Sequence, residues 1–89
     1  MKAIVSVIGK DKVGILAFVC NALADKNVNI LDVSQSVLSG YFTMSMLVDA
    51  SACTVSFTEL SESLRTEGEK NALDIRIQRE EIFAGMYNV

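Results

Sequence analysis

Along this chain of 89 residues the apolar positions change their spacing from every second residue to every third or fourth and back, twice. Each change marks a switch between a strand, whose side chains alternate faces, and a helix, which returns to the same face about every 3.6 residues. In residues 3–8, Ala3, Val5 and Val7 share one face and Ile4, Ser6 and Ile8 the other, and Gly9 closes this β-branched strand. Residues 13–26 then carry Ile15, Leu16, Val19, Ala22 and Leu23 at helical spacing, with Asp11 as a cap before them and Asn27 as a left-handed stop. Alternation returns from 29 to 49. Leu31, Val33 and Val37 oppose Asp32, Ser34 and Ser36; after a turn at Ser39-Gly40, Phe42, Met44, Met46 and Val48 oppose Thr43, Ser45 and Asp49. Phe57, Leu60 and Leu64 define a second helix, with Ser56 and Glu59 spaced as a capping box and Gly68 ending it or weakening its last turn. Leu73, Ile75 and Ile77 alternate with Asp74, Arg76 and Gln78 in a last strand.

The order strand, helix, strand, strand, helix, strand is the split βαβ order of ferredoxin-like α+β folds. Three of the strands carry a polar face, which predicts a four-stranded antiparallel sheet with both helices on one face and the other face open. The two strand-helix-strand units read as a loose internal repeat. With no linker-like stretch, residues 1–89 are expected to form one domain. A chain of this length buries only about two-thirds of the surface its unfolded form exposes, which favours a second copy as a source of stability.

Composition removes most chemistry. A net charge of −3 with scattered Lys and Arg lacks the basic surface that nucleic acid or an anionic membrane would need. No apolar run is long enough to span a bilayer and no signal peptide is evident, so a cytoplasmic protein is expected. The absence of histidine removes Ser-His-Asp and Cys-His nucleophiles and the commonest zinc ligand. Cys20 and Cys53 form no CxxC pair and read as reduced packing residues. Ferredoxin-like RNA binders stack bases on aromatic residues of the open face, where this chain has Ser6, Ser34, Thr43 and Ser45. Metal-carrying relatives of that fold need a cysteine pair in the first loop, where Lys10, Asp11 and Lys12 stand. Gly9 and Gly14 have the glycine spacing of a phosphate loop, but Ile15 and Leu16 replace its Lys and hydroxyl. Asp11 with Asp32, or Asp49 with Glu59, would be carboxylate pairs, but no base, nucleophile and orienting group converge around them. No catalytic residue, metal or cofactor is expected.

What remains is the loop Gly9-Lys10-Asp11-Lys12-Val13-Gly14-Ile15-Leu16, which leaves a strand and opens a helix, where unpaired backbone N–H groups can meet a small anion. This loop with Ala17, the later Asn29-Ile30-Leu31-Asp32 and the hairpin after Gln35 resemble an ACT domain over essentially the whole chain. The length and the ending Glu80-Glu81-Ile82-Phe83 with Met86 resemble the small stand-alone ACT proteins. The resemblance implies a non-enzymatic regulatory module that binds an amino acid or similar small metabolite, commonly between two domains. It implies Gly14 and Asn29 as ligand residues, with Asp11 and the backbone of Val13 and Ile15 beside them. Each also has a plain structural role: Gly14 eases the start of the helix, Asp11 caps it, and Asn29 turns the chain into its strand.

A charge at an exposed helix start gains about 0.3–1 kcal/mol, and about 2 kcal/mol when partly buried, whereas millimolar binding needs about 4 kcal/mol. One loop is therefore half a site, and a homodimer is expected to supply the rest. Phe18, off the main stripe of the first helix, and an edge of the sheet are the expected contacts. The apolar tail with Ile82, Phe83, Met86 and Tyr87 calls for cover by the chain's own sheet or by a partner. The competing reading is an adaptor that dimerises or docks on a metabolic enzyme or regulator without binding a ligand.

Overall fold

A computed structural model of the chain describes residues 1–10 and 13–81. Its elements are β1 (Lys2–Lys10), α1 (Ile15–Asp25), β2 (Asn29–Leu38), β3 (Tyr41–Asp49), α2 (Phe57–Lys70) and β4 (Leu73–Arg79), in the order the spacing predicts. The strands form one antiparallel sheet in the spatial order β2-β3-β1-β4, with β2 and β4 as its edges. Register brings the apolar positions into rows: Val5 stands between Met46 and Ile77, and Val7 between Met44 and Ile75. These rows are buried in one cluster with Ile15, Val19 and Leu23 of α1 and Leu60 and Leu64 of α2, so both helices cover the same face. Full burial of each such side chain contributes about 1.5–3 kcal/mol. Cys20 and Cys53 are free thiols, half-buried against this core.

The turns follow from backbone chemistry. Ser39 and Gly40 both have positive φ, 53° and 80°, as the two-residue hairpin turn between β2 and β3 requires. Asn27, with φ 60°, stops α1 in the left-handed conformation; its N–H bonds to Ala24 O at 2.9 Å and that of Val28 to Leu23 O at 3.0 Å. Gly68 does not end α2, which continues to Lys70. A Cβ at Gly68 would lie 2.8 Å from Leu73 O and 2.9 Å from Ile75 Cγ1, so its bare backbone lets the helix press against β4.

Three expectations change. Gly9 lies inside β1, which runs on to Lys10; a Cβ there would lie 3.2 Å from Ala72 O and would displace the Leu73 side chain, so the glycine suits the close approach of the segment that enters β4. Leu16 is 39% exposed and lies off the buried stripe, whereas Phe18 packs partly against the core. On β2 the expected apolar face is not covered: Leu31, Val33 and Val37 are 45%, 38% and 55% exposed. The strand is an edge that the helices do not reach beyond the half-buried Ile30, and a register shift between Ile30 and Asp32 leaves Leu31 without a partner on β3.

Candidate functional site

The first helix begins at Ile15, two residues later than the apolar spacing predicts, with Gly14 at the N-cap position. Gly14 has φ 89° and ψ 3°, a left-handed conformation that costs any residue with a Cβ about 1–2 kcal/mol. No atom of the described residues comes within 4 Å of the place a Cβ would occupy, so among them the space beside this backbone is open. The first helical bond runs from the Phe18 N–H to Gly14 O at 2.9 Å, and among the described residues no side chain caps the N–H groups ahead of it. Asp11, the expected cap, lies outside the described residues. Val13 is fully exposed, and Ile15 turns its side chain into the core, leaving its backbone to the loop.

Asn29 opens β2 with its side chain exposed, opposite Asp49 at the end of β3. The Asp49 carboxylate is tightly organised. Its Oδ1 accepts from the Ser51 N–H at 2.9 Å and from the Ser51 hydroxyl at 2.6 Å, and the Met1 amino group lies 3.5 Å away and also bonds Ser51 Oγ. The Ser51 hydroxyl first, then the Ser51 N–H, with a smaller contribution from the Met1 amino group, hold this carboxyl below its ordinary range against a small opposing effect of burial. Beside it, Asn27 Nδ2 donates to Ala52 O at 3.0 Å and the Thr54 N–H to Lys26 O at 3.0 Å, tying the end of α1 to the turn after β3. These residues surround a hollow of about 420 Å³ lined by Ala24, Asn27, Val28, Asn29, Asp49 and Ser51.

Gly14 and Asn29 are not neighbours in one chain. The loop after β1 leaves from Lys10, which stands opposite Tyr41, itself opposite Leu38; Asn29 lies at the other end of the sheet with Asp49 and Lys2. The 11 residues of α1 separate the two by about 16 Å. In the sequence Asp49 reads as a polar-face residue of its strand and as one member of a carboxylate pair with Glu59. The available signal was Asp-Ala-Ser at 49–51, a pattern in which an aspartate side chain takes the backbone N–H two residues on. Of the carboxylates in those two pairs, Asp32 accepts from the Val33 N–H at 2.9 Å through its Oδ1 and Asp49 is held by Ser51, while Asp11 lies outside the described residues. A larger hollow of about 470 Å³ lies between α2 and β4, but its arginines are already paired, Arg65 with Glu69 and Arg76 with Asp74, each at 3.2 Å. On the open face Ser34, Ser45, Ser6 and Arg76 form one row across the sheet, and that row holds no aromatic side chain for a base to stack on.

Among the described residues no helix is long and apolar enough to cross a membrane. The family model of the ACT domain matches residues 2–78. A UPF0237 protein of Listeria innocua is 51% identical over 89 residues, covering 100% of both chains. Among solved structures, an ACT domain protein from Streptococcus pneumoniae superposes with a TM-score of 0.83 at 42% identity, covering 93% of each chain. A formyltetrahydrofolate deformylase from Pseudomonas syringae superposes with a TM-score of 0.78 at 28% identity; the match covers 88% of this chain and 27% of that one. Fold, family model and full-length relatives agree: this chain belongs to the ACT-domain family, among the small UPF0237 proteins.

Proposed function

We propose that the chain is a non-enzymatic, cytoplasmic regulatory module that binds a free amino acid or similar small metabolite at the interface of a homodimer. ACT domains are typically regulatory small-molecule-binding modules. The observation that carries the reading is the unprotected edge of β2. This edge strand exposes Val33 and Val37 and carries a single charge, Asp32, so it lacks the lysines and prolines that keep an edge from pairing. Two copies of β2 paired antiparallel bring Asn29 of one copy to the Leu38 end of the other, which is the end where the Gly14 loop lies. Gly14, Val13 and Ile15 then contribute backbone N–H groups from one protomer and Asn29 contributes its amide from the partner, giving two equivalent sites. Asp11, three residues before Gly14 in the chain, is the further ligand residue that the family resemblance implies.

A helix start supplies at most about 2 kcal/mol, and closure by a second chain adds polar contacts and excludes water, which is how two half-sites reach a useful affinity. Calorimetric titration of the protein with each common amino acid is expected to give heat with at least one. Replacing Gly14→Val is expected to remove that heat while leaving the circular dichroism spectrum intact. Flat titrations of a folded dimer would instead favour an adaptor that docks on an enzyme or regulator.

A further inference from the structure

We propose that residues 82–89 of this chain dock on the open face of its own sheet, with Phe83 seated in a hollow beside Ile4 and Leu47. That face is not uniformly polar. Next to its row of serines lies the row Asp32, Leu47, Ile4 and Gln78, whose two apolar side chains stand opposite each other at its centre. Both are half-buried, and Ile8, further along β1 on the same face, is 52% exposed. The neighbouring Ser34 and Ser45, themselves a cross-strand pair, have short side chains. Between the two rows lies a hollow of about 180 Å³, lined among others by Ile4, Leu47, Ser34 and Ser45. Both helices pack on the other face, so no helix of the described residues covers this one.

The chain itself arrives beside this hollow. Arg79, the last residue of β4, stands opposite Ala3, the neighbour of Ile4, and Glu80 and Glu81 stay next to Met1 and Lys2. Residues 82–89 lie outside the described residues. From β4 to β3 is two strand spacings, about 10 Å. Eight residues span about 12 Å as a helix and up to about 29 Å extended, so either form reaches Leu47. In the sequence Ile82, Phe83, Met86 and Val89 recur at the spacing of one helix face, and no side chain from 82 to 89 is charged. An apolar segment tethered next to an uncovered apolar hollow meets it at the high effective concentration of an intramolecular contact, which favours the chain's own segment over a second copy. Pairing through β2 would extend the sheet sideways and leave this face free, so the two contacts do not compete. The open face is then self-occupied, and any protein that docks there must first displace Phe83.

The test is a map of nuclear Overhauser contacts in the full-length protein. Contacts are expected between the Phe83 ring and the methyl groups of Ile4 and Leu47. They are expected to persist when labelled protein is mixed with an excess of unlabelled protein, as contacts within one chain do. Ser45→Glu, which puts a longer charged side chain into the hollow, is expected to abolish them with circular dichroism unchanged. The absence of any contact between residues 82–89 and the open face overturns the proposal. Contacts that vanish on mixing with unlabelled chain overturn it as well, because they assign the segment to a second copy. A folded Ser45→Glu variant that keeps the contacts does the same. The first two results are read on the wild type and need no variant to fold, and none of the three bears on the ligand reading.

Discussion

The two strand-helix-strand halves of this sheet share one plan and finish it differently. In the second half, β3-α2-β4, the Ser56 hydroxyl accepts the Glu59 N–H at 3.2 Å, Glu59 stands in the first turn of α2 and Lys70 in the last. Its edge strand carries Asp74, Arg76 and Arg79; Arg76 pairs with Asp74, and the Arg79 guanidinium lies 5.3 Å from the centre of the Phe57 ring. In the first half, β1-α1-β2, the helix has no side-chain cap among the described residues, no acid in its first turn and no base in its last. Its edge strand exposes Leu31, Val33, Val37 and Leu38 around a single charge. The second half meets its own polar needs, while the first leaves hydrogen-bond donors and an apolar edge unspent. Packing alone would not produce that difference, since both helices bury equivalent stripes; the open half is where ligand and partner are to be sought.

The largest effect expected from perturbing this contrast is on stability, in the closed half. Leu64 is 1% exposed within the common core. Leu64→Ala leaves a cavity among well-packed neighbours and is expected to cost about 2–5 kcal/mol. Equilibrium urea unfolding measures it, and a loss below about 1 kcal/mol would mean that α2 is not held to the sheet as tightly as its burial implies.

A smaller effect, and one of a different kind, is expected on the open edge. Val33→Lys puts a charge on a side chain that is 38% exposed in one chain and would be covered in an antiparallel β2 pair. The fold is expected to survive, because surface substitutions outside special environments stay within about 0.5 kcal/mol. Dissociation of the dimer is expected to increase at least tenfold, about 1.4 kcal/mol, as read by sedimentation velocity. The matching change on the other edge, Gln78→Lys, is expected to leave association untouched. If Gln78→Lys dissociates the protein and Val33→Lys does not, the roles of the two edges are reversed.

The same division explains what was legible in the sequence. Ala3, Val5, Val7, Met44, Met46, Ile75 and Ile77 declare their face by alternation, and the structure buries all of them, because a central or helix-covered strand has only one way to hide its apolar side. The capping role of Ser56 and the stop at Asn27 were readable because each depends on local backbone chemistry. Leu16, Leu31, Val33 and Val37 belong to apolar faces by spacing yet stay partly exposed for one physical reason: a pattern says which residues share a face, and only the reach of the neighbouring elements says whether that face is covered. Gly14 and Asn29 stood out through a family resemblance. Their separation by the length of α1, and the Asp49-Ser51 cluster beside Asn29, depend on strand register across 20 residues of chain, which no local motif encodes.

The smallest expected effect separates the two helix starts. Ser56→Ala removes the side-chain acceptor from the Glu59 N–H and is expected to cost about 1 kcal/mol. For a domain of this size that lowers the melting temperature by about 4–8 °C. The donor it frees is exposed, so water takes it over and neither association nor amino-acid heat is expected to change. At α1 the order of effects inverts. Gly14 already lacks a cap, so Gly14→Val removes no hydrogen bond; it forces a β-branched residue into a left-handed conformation and fills the open space beside the helix N–H groups. Scanning calorimetry and ligand titration of the two variants side by side test this. A Ser56→Ala protein that loses ligand heat along with its stability would mean that α2, and not α1, carries the helix start that the ligand uses.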